Sequence, residues 1–101
     1  MIRVTYQKKD DSISYLRVRG HAESAEYGKD LICASVSSIM FGLMNALDEL
    51  KEEIEIRQLT NDIEIRNHST SEVVQNYFRL VLVQLQTIEA SYGNYIKVER
   101  K

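Results

Sequence analysis

Gly20-His21-Ala22-Glu23-Ser24-Ala25-Glu26-Tyr27-Gly28-Lys29-Asp30-Leu31-Ile32-Cys33 is the stretch on which the chain changes period. Before it, Leu16 and Val18 alternate with Arg17 and Arg19, the period of two of a half-buried strand. After it, Ile32, Val36, Ile39, Met40, Leu43, Leu47 and Leu50 recur every three or four residues, as on a helix with one buried face. The stretch therefore predicts a strand-loop-helix corner. It also holds the chain's one cysteine and one of its two histidines. A thiolate is a nucleophile, and a neighbouring imidazole can take its proton and later protonate a leaving group, so His21 and Cys33 form a candidate catalytic pair.

Working outward, Ile2, Val4 and Tyr6 alternate with polar residues and predict a first strand, followed by a polar turn over 8–12 and a second strand over 13–19. Beyond the helix, Ile54 and Ile56 predict a third strand, 59–62 a turn, and Ile63 and Ile65 a fourth strand. Ser69 and Glu72 have the spacing of a capping box. A second helix follows on Val74, Tyr77, Phe78, Val81, Leu85 and Ile88, with Gly93 as a left-handed stop. Ile96 and Val98 close the chain as a fifth strand. The order is ββαββαβ. Each strand has one apolar and one polar face, so the expectation is a single α+β domain over 1–101, with one sheet of about five strands and two helices on one face.

Composition narrows the function. With 101 residues, 44% hydrophobic and 28% charged, the chain reads as one ordinary globular domain. A net charge of -2 and no basic cluster argue against direct nucleic-acid binding. One cysteine permits no internal disulfide and fits a reducing, cytoplasmic compartment. The N-terminus lacks the apolar core of a signal peptide, and no run is expected to approach a membrane span. One cysteine and two scattered histidines supply no zinc-ligand spacing, so neither metal nor other cofactor is expected.

Asp30 is the expected N-cap, which makes Cys33 the third helical residue and aims its sulfur at unpaired backbone N–H groups that could also hold an oxyanion. The bland reading of Cys33 is a small buried hydrophobe. Asp30 has a second reading as a third member orienting His21. Ser37, one turn beyond Cys33, either faces the thiolate and the substrate or only packs the helix. His68 reads as a solvated loop residue. Met40 and Met44 read as core fillers. Segment 22–29, flanked by Gly20 and Gly28, reads as a loop able to close over substrate with Tyr27 packing on it, or as a plain connection. Its acidic residues Glu23 and Glu26, with Asp30, are a solvated face or a steering field for a basic substrate.

Gly20-His21-Ala22, Tyr27-Gly28-Lys29-Asp30, Cys33-Ala34 and Ser37 together resemble the Prp family of bacterial ribosomal-processing cysteine proteases. Phe41-Gly42, Asn45-Ala46 and Leu85-Gln86-Thr87-Ile88-Glu89 extend the likeness over essentially the whole chain. Ser35-Val36 is a departure, since relatives often carry smaller residues there. The resemblance implies that His21 and Cys33 are the catalytic dyad. It implies that the substrate is the N-terminal extension of a large-subunit ribosomal protein (protein twenty-seven). The surplus apolar arc of the second helix, with Val73, Leu80 and Val83, predicts a homodimer. The rival reading is a non-catalytic dimeric ribosome-assembly or scaffold protein in which Cys33 only packs.

The two histidines separate the readings. His21→Ala is expected to lower peptide cleavage by about 100- to 10,000-fold, the usual contribution of a positioned acid–base group, and His68→Ala to leave it near wild type. Steady-state rates of the two variants check the assignment, and reversed results would move the base to His68.

Overall fold

The computed structural model describes residues 1–20 and 27–101, with residues 27–30 described by their backbone alone. Strands β1 (Ile2–Lys9) and β2 (Ser12–Arg19) precede helix α1 (Tyr27–Leu50). Strands β3 (Ile54–Leu59) and β4 (Asp62–Asn67), helix α2 (Glu72–Tyr92) and strand β5 (Ile96–Arg100) complete the order ββαββαβ. The five strands form one mixed sheet in the order β3-β4-β2-β1-β5. All neighbours are antiparallel except β1 and β5, a parallel pair that forms after α2 carries the chain from β4 to β5.

Alternation decides which residues meet the helices. Ile2, Val4, Leu16, Val18, Ile65 and Ile96 are buried, and they share one hydrophobic cluster with residues of both helices. From α1 that cluster takes Ile32, Val36, Met40, Leu43, Met44 and Leu47, and from α2 Val74, Phe78, Val81, Leu82 and Leu85. The sheet thus has one covered face. The core-filling reading of Met40 and Met44 holds, at 0% and 7% exposure. The expectation that no run reaches membrane-span length does not hold for α1. Leu31–Leu50 is long and apolar enough by length and composition. Its serines, Gly42 and Asn45 interrupt the apolar positions when read along the chain, and its apolar stripe packs on the sheet.

Strand β2 breaks the simple period. Ile13 and Leu16 are both in the core although they are three residues apart. The register shifts there, with Gln7 opposite Tyr15 but Lys8 opposite Ile13. One extra residue on β2 makes a bulge that rotates Ile13 back to the covered face. The bulge disturbs the ladder, and Gln75 of α2 repairs it. Its Oε1 accepts from the Ile13 N–H at 2.7 Å, and its Nε2 donates to the Ile13 carbonyl at 2.8 Å. The Asn67 side chain donates to the same carbonyl at 3.2 Å. Gln75 is buried for this reason.

Turns and caps follow local chemistry, with three departures from the sequence reading. The first turn contracts to Asp10 and Asp11, both at positive φ (51° and 65°), which suits the twist of a tight hairpin. The N-cap of α2 is Ser71 rather than Ser69; its side chain accepts from the Val74 N–H. Ser69 is held one step upstream, where its N–H donates to Asn67 and its hydroxyl accepts from the Ser71 N–H. Gly93 caps α2 in the right-handed region (φ −59°), not the left-handed one; α1, by contrast, is followed by a left-handed Lys51 (φ 55°).

Gln75→Leu keeps the volume and removes both hydrogen bonds. The Ile13 N–H then loses its partner inside the core, a loss of about 1–3 kcal/mol. Denaturant unfolding of the variant checks this; an unchanged midpoint would mean that water or another group takes over the bond.

Candidate active site

Cys33 is the seventh residue of α1, not the third, because the helix begins at Tyr27. Asp30 therefore lies within the first turn and is not the N-cap. Nothing in Tyr27-Gly28-Lys29 forbids helix; the glycine costs only about 1 kcal/mol and no proline intervenes. Tyr27 and Gly28, expected in a loop, are helical too. The unpaired N–H groups belong to the turn before Cys33, and the dipole effect fades within that turn. The helix terminus therefore does not supply the oxyanion donors at Cys33 that the shorter helix would have offered.

Cys33 is half-buried and lines a cavity of about 310 Å³ at one end of the sheet. Val36, Ser37, Met40 and Phe41 follow Cys33 on the same side of α1, at steps of three, four, seven and eight residues, and all line this cavity. Val36 is half of the Ser35-Val36 departure, and the space beside the thiol persists with it in place. Val18 and Gly20 contribute from the end of β2. The opposite wall is the β3–β4 turn with the strand ends that flank it, Gln58 to Ile63. In the sequence this turn is only a polar connection between two strands; no local signal links it to Cys33.

Gly20 is tied to that turn and leaves no space for a side chain. Its N–H donates to the Asn61 carbonyl at 2.9 Å, extending the β2–β4 ladder into the turn. Its φ is +88°, and a Cβ at this position would stand 2.5 Å from the Met1 carbonyl oxygen. Only glycine fits such a site. The next residue in the chain, His21, lies outside the described residues, as do Ala22, Glu23 and Glu26. The expected closing loop falls mostly there, and its last residues, 27–29, belong to α1. So Cys33, Ser37 and Gly20 come together at one cavity, while of Tyr27, Gly28 and Asp30 only the helical backbone is described.

The wall is braced from the sheet's open face. Arg17 grips Asp62 through two hydrogen bonds, Nε to Oδ1 at 3.0 Å and a second nitrogen to Oδ2 at 2.8 Å. Arg57 lies 4.0 Å from Asp62 and 3.5 Å from Glu64, and Arg66 lies 3.5 Å from Glu64. Tyr15 donates its hydroxyl to Glu64, and Arg66 stacks over its ring. The Arg17 guanidinium holds the Asp62 carboxyl below the usual carboxylate range. The Tyr15 hydrogen bond does the same for Glu64. Burial, with Glu64 beside it, pushes the Tyr15 phenol up. His68 is exposed and 3.3 Å from Glu55, beyond the end of β4 remote from the cavity, consistent with a solvated loop residue. Among the described residues no group of histidine, cysteine and carboxylate side chains could hold a metal ion.

A half-buried thiol opening into a cleft between a helix and a turn suits nucleophilic chemistry on an extended substrate. Comparison with known proteins agrees. The family model for cysteine protease Prp matches residues 1–97. The ribosomal processing cysteine protease Prp of Staphylococcus aureus is 33% identical, with 100% of each chain covered. The protein of that name from Bacillus subtilis is 31% identical, covering 97% of this chain and 96% of its own. The crystal structure of the S. aureus protease with a substrate peptide superposes with a TM-score of 0.91 at 32% identity over all of both chains. A second structure of that protease, with a covalently linked product peptide, gives 0.89. This chain is a cysteine peptidase, which sets aside the non-catalytic scaffold reading. It belongs to the cysteine protease Prp family.

Gly20→Ala is the sharpest test of the cavity wall. The added methyl requires a left-handed alanine and displaces the Met1 carbonyl, a penalty of at least about 1–3 kcal/mol. The thermal midpoint is expected to fall by about 4–8 °C per kcal/mol for a domain of this size, with peptide cleavage reduced at temperatures where the variant is folded. A wild-type midpoint and rate would show that the turn yields without cost.

Proposed function

We propose that this protein is an endopeptidase of ribosomal processing that removes the N-terminal extension of a large-subunit ribosomal protein (protein twenty-seven), using Cys33 and His21 as a dyad. One observation carries the reading: the chain's single cysteine lines the same cavity as Gly20, the residue directly before His21. The names of the relatives and the peptide complexes of the S. aureus protease support the substrate class. Its covalently linked product peptide supports covalent catalysis here.

The steps conserve protons and bonds. His21 takes the thiol proton as Cys33 Sγ bonds to the scissile carbonyl carbon. The tetrahedral intermediate collapses, the C–N bond breaks, and the imidazolium gives its proton to the departing amine. A thioester to the extension remains. Water attacks it, His21 takes the water's proton and returns it to sulfur, and the extension leaves as a carboxylic acid. With Cys33 a full turn inside α1, activation of the thiol falls to the imidazole. Ser37 lies within reach of a bound peptide along the same cavity. Asp30, one turn from Cys33, keeps the alternative role of orienting His21. The chemistry requires a reduced thiol and so favours a reducing, cytoplasmic setting.

The protein works as a homodimer in this proposal. Val73, Leu80 and Val83 on α2 are 47%, 60% and 57% exposed. Val73 and Leu80 stand seven residues apart, on one helix face. Leu80 also lines a groove between α1 and α2, together with Ile39, Gly42, Leu43 and Tyr77. A second copy of the same surface is the occupant that would bury this stripe on both sides at once.

Incubation with a peptide spanning the extension, followed by mass spectrometry, tests the activity. Wild type is expected to yield two fragments and Cys33→Ala none; an alanine variant that cuts at the wild-type rate rejects the mechanism. Light scattering tests assembly, with twice the single-chain mass expected for wild type and a shift toward the monomer for Leu80→Glu. A wild-type monomer at high concentration rejects the dimer.

A further inference from the structure

We infer that Arg17, on the open face of the sheet, is a positioning residue for catalysis at Cys33 and acts through Asp62 and the β3–β4 turn. Arg17 does not line the cavity; Asp62 and Asn61 do. The bidentate bond from Arg17 to Asp62 clamps the first residue of β4 to β2. The directly opposed partner of Arg17 is Glu64, so the side chain reaches one step diagonally toward the turn. Asn61, next to Asp62, is left-handed (φ 59°) and presents its carbonyl to the Gly20 N–H at 2.9 Å. That bond ties Gly20 to the turn, so a turn that shifts takes Gly20 with it or loses the bond. The clamp therefore fixes the point from which the chain leads into His21.

Neighbouring side chains do not duplicate the clamp. Arg57 reaches Asp62 only at 4.0 Å and is itself more than half exposed, while Arg17 and Asp62 are largely shielded. A guanidinium fork matches a carboxylate in two places, and an ammonium cannot, so Lys at position 17 keeps the charge and loses the geometry. Misplacing catalytic groups by about 1 Å can lower a rate about 100-fold, so a partial loosening of this wall is expected to be visible in kcat. Arg17 does not itself line the cavity, so its loss is expected to leave KM nearly unchanged.

The inference rests on the His21–Cys33 dyad, and the experiment keeps the two apart. Arg17→Met, Arg17→Lys, Cys33→Ala and His21→Ala are assayed with the extension peptide at a temperature where circular dichroism shows each folded. Arg17→Met is expected to lower kcat about 10-fold, with KM within about twofold of wild type, and Arg17→Lys to fall between the two. A variant with a lowered thermal midpoint but wild-type kcat would make Arg17 a structural residue only and overturn the inference. A change confined to KM would overturn it too, because the wall would then act on substrate binding. Activity retained in Cys33→Ala or His21→Ala would instead remove the dyad, and the inference with it.

Discussion

A sheet with one apolar face must be covered, and this requirement organises the molecule. Leu16, Ile65, Ile96 and Val4 reach full burial only because Met40 of α1 and Phe78 and Leu85 of α2 lie across them. Each such side chain contributes about 1.5–3 kcal/mol when taken from water. Neither helix could hold its register without the sheet, and the sheet could not keep its strands without the helices. The parallel β1–β5 pair is a consequence: α2 crosses the covered face before the chain returns beside β1.

The site is built at the edge of that contact. The stripe of α1 that buries Val36 and Met40 continues toward the N-terminus as Cys33, where the covering thins and a cavity opens. The thiol is therefore set by core packing, and its depth in the helix is a matter of which turn meets the sheet. The wall opposite comes from residues some twenty-five positions away, joined to Gly20 by one backbone bond.

The uncovered face follows different physics. Tyr15, Arg17, Arg57, Asp62, Glu64 and Arg66 form a connected network across β2, β3 and β4. Isolated exposed pairs contribute little, but a shared network with a bidentate arginine holds geometry. Its carboxylates are stabilised as anions by their partners. The same alternation that sends Leu16 and Val18 inward sends Tyr15 and Arg17 outward, so core and network are two products of one strand.

The chain alone determined what repeats locally. Seven elements in their order, the single covered face and the approach of the end of β2 to the start of α1 were all legible, because burial imprints a period on each element by itself. Termini were less legible: Asp30, Ser69 and Gly93 are each suitable for the cap assigned to them, yet α1 starts at Tyr27, Ser71 caps α2, and Gly93 ends α2 in the right-handed region. Only the tertiary structure decided the strand order, the bulge that returns Ile13 to the core, the burial of Gln75, and the meeting of the Thr60–Asp62 turn with Cys33. Each of these is a contact between residues far apart in sequence. A period records which way a side chain faces, but it carries no information about which strand, turn or helix will stand opposite.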